Sequence, residues 1–297
     1  MRRARESGRG GPEAREGDGV RRPRTRRRRT LIVDYHMHLR NERGELAHET
    51  AAVEPFVETA RAAGVDEIGF SEHVYYFART RSLWEMPYQT DRCVYELEPY
   101  VEAVVAAKSR GLPVKLGLEV DYAVGREDET RELLAPYPWD YLLGSVHFID
   151  GRAVDGEPRL TDAVGVDEAW RIYFETLASA ARSGLFDALS HPDLVKIFGE
   201  RASSFDYGPV ADAIAASAVA VEVSTAGLHK PVGELYPHPE LLAACKERQV
   251  PVTLASDAHS PRDVGRDFDR ALELLRSAGY ETVTVFEQRH ARQEPLG

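Results

Sequence analysis

Residues 31–38 read Leu31-Ile32-Val33-Asp34-Tyr35-His36-Met37-His38, three branched apolar residues running into two histidines with one residue between them. Along an extended chain alternate side chains share a face, so His36 and His38 point the same way. Two imidazoles converging at the end of a buried strand are a natural pair of ligands for a divalent transition metal. Alone the pair carries little weight, because a polar strand end can hold two histidines as ordinary hydrogen-bonding groups. Its weight comes from recurrence: the same pattern of apolar strand and then ligand-type residue returns down the chain.

From residue 31 onward short apolar runs alternate with longer amphipathic segments, the pattern of βα units around a parallel sheet. Strands are expected at 31–36, 67–71, 114–119, 141–147, 187–191, 219–224 and 251–256, seven in all. Helices are expected near 53–63, 92–110, 166–183, 207–217, 237–248 and 261–279. Gly64, Gly111, Gly184 and Gly279 follow four of these as stop signals, and Asp206, Ser260 and Asp91 are candidate N-caps. A last apolar run, 282–286, reads as an edge or closing strand.

The chain has 297 residues, room for one large α/β barrel or two ordinary domains. Its net charge of −11 hides an asymmetry. Residues 1–30 hold 12 Arg against 4 acidic residues, whereas residues 31–297 hold 26 Lys and Arg against 45 Asp and Glu. The Arg-rich stretch lacks apolar periodicity and reads as a disordered extension, the other reading being a basic arm whose Arg26–Arg29 touch RNA, DNA or anionic lipid; no apolar core of a signal peptide is present. The acidic remainder argues against broad nucleic-acid binding. No apolar run is long enough to span a bilayer, and only Cys93 and Cys245 occur, so a reducing cytoplasm is the expected compartment. The domain layout expected is the extension at 1–30, one folded unit at 31–290, and a tail at 291–297.

Chemistry gathers at the strand ends: Ser71-Glu72-His73, Gly117-Leu118-Glu119-Val120-Asp121, Gly144-Ser145-Val146-His147, Ser190-His191-Pro192 and Ser256-Asp257-Ala258-His259. In a closed barrel the C-terminal ends of all strands share one face, where barrel active sites are built. Any one of these histidines is more often structural than a ligand. Together with the opening pair, five such strand ends make coincidence a poor account.

The ensemble resembles the PHP (polymerase and histidinol phosphatase) superfamily over about residues 31–290. Asp34-Tyr35-His36-Met37-His38, Ser71-Glu72-His73 and Ser256-Asp257-Ala258-His259 match its motifs. Gly117-Leu118-Glu119-Val120-Asp121-Tyr122, Gly144-Ser145-Val146-His147-Phe148 and Lys230-Pro231-Val232-Gly233-Glu234-Leu235-Tyr236-Pro237 look like its histidinol-phosphatase branch. The resemblance implies an α/β fold, a distorted seven-stranded TIM-like (β/α) barrel. It also implies two or three divalent ions. One would be held by His36, His38, Glu119 and Asp257; a second by Glu119 as a bridge with His147 and His191; a third by His48, His73 and His259. Such mixed imidazole and carboxylate donors suit Zn²⁺, Mn²⁺ or Fe²⁺ without singling out one.

The activity implied is hydrolysis of a small phosphate monoester, L-histidinol phosphate in histidine biosynthesis, with Glu119 and Asp257 at the catalytic centre and hydroxide generated on the ions attacking phosphorus in line. Lys230 and Arg266, with Lys196 behind them, are the candidate phosphate-binding cations. Tyr122, Asp121 and Glu234 are candidates for the amino group or imidazole, Trp84 and Tyr88 for a lid, and His229 for a general acid. Each of these also has a plain reading as a surface or core residue. Two other functions fit the residues less well: a phosphoesterase of the same superfamily acting on nucleotides, oligonucleotides or another small phosphate ester, and a metal-stabilised binding domain without catalysis, which would be expected to have lost ligands.

Overall fold

A computed structural model describes residues 30–41 and 43–297. The extension expected at 1–30 therefore lies, Thr30 apart, outside the described residues. The elements, in chain order, are β1 Val33–Asp34, α1 Thr50–Ala62, β2 Glu67–Phe70, α2 Pro87–Thr90, α3 Leu97–Ser109, β3 Val114–Leu116, β4 Glu119–Asp121 and α4 Glu127–Leu134. There follow β5 Leu143–Ser145, β6 Phe148–Ile149, β7 Arg152–Ala153, α5 Leu160–Val164, α6 Val166–Arg182, β8 Ala188–Leu189, α7 Gly208–Ser217 and β9 Ala220–Ser224. Last come α8 Pro239–Glu247, β10 Val252–Ala255, α9 Phe268–Ser277, β11 Thr282–Glu287 and β12 His290–Pro295.

Two parallel sheets carry the fold, one in the order β1-β2-β3 and one in the order β10-β9-β8-β5-β4. Their strands are buried on both faces, as the near-continuous apolar runs require: all of β9 and β10 is buried. The helices seal the outer faces with single apolar stripes. In α6 that stripe is Trp170, Tyr173, Phe174, Leu177 and Ala181.

Hydrogen bonds continue beyond the strands and tie the sheets together. Tyr35 donates its N–H to the Leu254 carbonyl at 3.1 Å, and His38 to that of Ala258 at 2.8 Å, so the chain after β1 runs beside that after β10. On the other side Gly117 donates to Phe70 at 2.8 Å and Glu119 to Glu72 at 3.0 Å. Asp34 adds a staple, accepting from the backbone of Ser256 and Gly265, both at 2.9 Å.

Between the sheets stands Tyr141, fully buried, with its ring 5.3 Å from that of Tyr35 and 5.6 Å from Phe286. Its hydroxyl donates to the Tyr35 carbonyl at 2.7 Å. Gly69 and Gly117 make the room: a Cβ on either would run into the Tyr141 ring. A cramped glycine also explains why 114–119 is two strands, β3 and β4. The chain leaves one sheet at Leu116 and joins the other at Glu119, so the seven expected strands appear as eight short parallel ones.

Other departures have local causes. The helix expected at 261–279 is shortened to α9 because Asp34 binds the Gly265 N–H while Gly265 and Asp267 take positive φ. Asp91 follows α2 instead of capping α3, whose N-cap is Glu96. Asp206 does accept the Gly208 N–H at 2.8 Å at the start of α7. The charged helix α4 has too few apolar residues to show periodicity; Glu127, Asp128 and Glu129 in its first turn favour it through the helix dipole. Residues 291–297, expected to be a tail, are mostly strand: β12 pairs antiparallel with β11 across a turn at Gln288 and Arg289, both with positive φ. Its polar sequence hid it, because only β11 faces the core. Among the described residues no helix is long and apolar enough to cross a membrane.

Candidate metal centre

Each ligand candidate except His48 leaves the C-terminal end of a strand or the stretch just after it, which brings residues more than two hundred positions apart into one cleft. Atoms able to ligate a metal lie within 4.8 Å of one another in four groups: His36, His38 and Asp257; His36, Glu119 and His191; His73, Glu119 and His147; and His38, His73 and His259. The rings are close, with centroids of His38 and His73 4.2 Å apart, His38 and His259 4.1 Å, and His147 and His191 4.9 Å.

Glu119 is the hub. Its Oε1 lies 2.9 Å from His191 Nε2 and 3.5 Å from His147 Nε2. Its Oε2 lies 3.4 Å from His36 Nε2 and 2.7 Å from His73 Nδ1, in an arrangement that makes no hydrogen bond to either. Buried polar atoms are otherwise nearly always satisfied, so His36 Nε2, His73 Nδ1 and Glu119 Oε2, converging without a hydrogen bond among the described residues, fit a group that accepts their lone pairs. The donor set suits a divalent ion.

Electrostatics agree. Burial alone would raise the Glu119 and Asp257 carboxyls; the facing imidazoles, His36 foremost, outweigh it and hold both well below the usual range. Burial and neighbouring His38 drive His259 down to about 3, keeping it neutral and able to ligate. Burial lowers His147 too, but Glu119 and Asp121 raise it to about 10. A centre that pulls an imidazole toward its protonated form is one that favours cationic charge, whether a proton or a metal ion.

Three carboxylates orient three of the histidines. His36 donates from Nδ1 to Glu222 at 2.9 Å, His38 from Nδ1 to Glu72 at 3.0 Å, and His147 from Nδ1 to Asp121 at 2.8 Å. Each bond fixes the tautomer and turns Nε2 toward the centre. Glu72 and Glu222 were missed from sequence. The signal for Glu222 was available: a lone carboxylate in the middle of the apolar run Ala220–Ser224 must be engaged if it is buried. Glu222→Gln is expected to weaken metal affinity by about 10- to 100-fold while leaving the fold intact. Metal titration of chelated protein measures it, and parental affinity in the variant would remove Glu222 from the site.

His48 stands apart from the four groups. Its ring packs near Phe77, Tyr95 and Tyr100, and its Nε2 is 3.9 Å from Glu72 Oε2. Where His48 was expected beside His73 and His259, the geometry brings His38 instead.

Of the expected substrate-binding residues, Lys230 and Arg266 come to the cleft and two do not. Lys230 lines both a cavity of about 80 Å³ among the ligands and an adjoining one of about 230 Å³, and Arg266 lines the second. Lys196 is fully buried and bonds Asp193 at 2.9 Å and the Leu235 carbonyl at 2.8 Å, a structural post under the 230–237 loop. Tyr122 donates to Glu127 at 2.6 Å and lines a separate cavity. Asp121 is taken up by His147, and Glu234 is paired with Arg201. Trp84 is core, donating to Thr80 at 3.2 Å, while Tyr88 is exposed. His229 sits 2.6 Å from Asp267 at the rim of the larger cavity.

Known proteins resemble this chain in sequence and in fold. The model of the PHP domain matches residues 34–226. A probable histidinol-phosphatase of Deinococcus radiodurans is 33% identical over 276 residues, 90% of this chain and 100% of that one. The histidinol-phosphatase of Bacillus subtilis is 29% identical over 247 residues, 73% of this chain and 91% of that one. Among solved structures, histidinol phosphate phosphatase of Lactococcus lactis, complexed with zinc, L-histidinol and phosphate, superposes with a TM-score of 0.69 at 21% identity, covering 89% of this chain and 100% of that one. The motifs, the parallel α/β fold and the matches converge: this chain belongs to the PHP domain family, in its histidinol-phosphatase branch.

Proposed function

We propose that this protein is a metal-dependent phosphomonoesterase that hydrolyses L-histidinol phosphate to L-histidinol and inorganic phosphate. The observation that carries the reading is the convergence of eight ligand-type side chains, Glu119 central among them, with Lys230 at the same cleft. The two sheets are then arcs of one closed, distorted seven-stranded barrel, a reading supported by the hydrogen bonds that join β1 to β10 and the end of β2 to β4.

His36, His38, Glu119 and Asp257 would hold one ion, and Glu119, His147 and His191 a second. The third would fall to His73 and His259, with His38 nearer to it than His48. Bound divalent ions would lower the pKa of water and neutralise charge on phosphate oxygens. In the net reaction water adds to phosphorus, the ester P–O bond breaks, and the alkoxide leaves with a proton as the alcohol. The chain's own share is positional. Glu222, Glu72 and Asp121 hold the imidazoles, and Lys230 and Arg266 take non-bridging oxygens. The two free, buried cysteines fit a reducing cytoplasm.

Phosphate release from L-histidinol phosphate, a 5′-nucleotide and p-nitrophenyl phosphate tests the reading, each with and without chelator and added Mn²⁺ or Zn²⁺. L-Histidinol phosphate should give the highest kcat/KM, chelation should abolish turnover, and metal should restore it. A faster nucleotide would overturn the substrate, and full turnover after chelation would overturn the metal mechanism.

A further inference from the structure

We propose that Asp155 is the residue that selects the substrate, by pairing its carboxylate with the ammonium group beside the phosphate ester; the assignment rests on the reading of L-histidinol phosphate as substrate. A phosphate ester that also carries an ammonium and an imidazole needs three kinds of contact. The ligand cluster with Lys230 and Arg266 accounts for the phosphate only. Both carboxylates that the sequence offered for the ammonium are engaged elsewhere, Asp121 by His147 and Glu234 by Arg201.

Asp155 is brought to the cleft by a device that the sequence did not reveal. Directly after the ligand candidate His147 the chain makes a tight antiparallel hairpin, β6 and β7, with Phe148 opposite Ala153. That register returns the chain to its start, and Val154 donates its N–H to the His147 carbonyl at 2.8 Å. The next residue is Asp155. The loop is closed behind it by Ala153 donating to Pro158 at 2.8 Å, and Arg159 anchors it to Glu200 and to the ring of Phe198. A mobile loop would not hold a charge in place; this one is tied at both ends.

Asp155 lines the 80 Å³ cleft together with Lys230, Leu194, Ile197 and Tyr236 and the ligand residues. Of the three carboxylates there, Glu119 and Asp257 belong to the ligand set, which leaves Asp155. It is exposed, so its carboxylate lies where solvent and a small ligand can reach it at that cleft. Among the described residues no hydrogen bond or ion pair occupies it. Leu194, Ile197 and Tyr236 give the same cleft an apolar and aromatic wall suited to an imidazole ring.

The test compares L-histidinol phosphate with its deamino counterpart, in which hydrogen replaces the ammonium. Asp155→Asn should lower kcat/KM for L-histidinol phosphate by about 10- to 100-fold, chiefly through KM, as expected for the loss of a charge-assisted contact made equally in ground and transition states. The deamino ester, with nothing for the carboxylate to hold, should change by about twofold or less. Asp155→Glu should recover part of the loss, and metal content by elemental analysis should match the parent. Equal losses on both esters, or loss of metal, would make Asp155 a ligand or a structural residue and overturn the assignment, as would parental values on both. If the parent itself prefers neither ester over p-nitrophenyl phosphate, the substrate reading has failed and this assignment with it.

Discussion

Glutamine in place of Glu119 is expected to lower kcat by about a thousandfold or more and to reduce bound metal by at least one ion per chain. The carboxylate is fully buried and uses both oxygens, one toward His191 and His147 and the other toward His36 and His73. A carboxamide keeps the shape but is neutral, and its NH₂ end has no lone pair to offer a cation. The variant therefore loses a negative charge, and with it the proposed bridge between ions, at the point where four imidazoles converge. His48→Ala is the matched comparison. His48 lies outside the ligand groups, near Glu72, so its removal should cost about tenfold at most and leave metal content at the parental level. Elemental analysis and steady-state kinetics under saturating Mn²⁺ decide both. Glu119→Gln with full metal content and more than about a tenth of parental kcat would show that Glu119 is not the bridge. A loss in His48→Ala as deep as that in Glu119→Gln would return His48 to the ligand set.

What was legible in the sequence was whatever leaves a periodic or positional mark. Strand ends carrying His36, His38, His73, His147, His191 and His259 follow apolar runs, so eight of nine expected ligands converge without any knowledge of distance. Helix stops were equally plain, because Gly64, Gly111, Gly184 and Gly279 all take the positive φ that a glycine best tolerates. Partner choice leaves no such mark. Lys196 and Lys230 look alike as letters, yet one is buried against Asp193 and the other reaches the cleft, because the fold, and not the residue type, supplies the nearest carboxylate. Asp155 was hidden in a loop whose register only the hairpin reveals, whereas Glu222 left a mark, as a lone carboxylate within an apolar run. The hairpin β11–β12 was half visible, since only its core-facing strand has an apolar pattern.

The second large effect concerns the grip on phosphate, and it separates binding from metal chemistry. Lys230 and Arg266 come from different loops, after β9 and β10, yet line one cavity of about 230 Å³ that also contacts Asp257 and His259. Lys230 has no ion pair among the described residues, so its charge is available to a ligand. Arg266 is steered by Asp263, which accepts from Nη1 at 2.9 Å, while its buried Nε has no partner among the described residues. A charge-assisted contact of roughly 1.5–3 kcal/mol makes each alanine variant about 10- to 150-fold weaker in kcat/KM. Arg266→Lys should recover little, because the planar fork is lost even though the charge stays. Metal content should be parental in every case, which distinguishes these residues from Glu119. The double variant should fall short of the product of the single effects, since two cations on one phosphate share its charge and the loss of either lets the substrate shift toward the other. Surface charges would behave otherwise, with each alanine nearly silent. Two silent variants with metals still bound would therefore remove the phosphate grip from this cavity and leave the ligand cluster untouched.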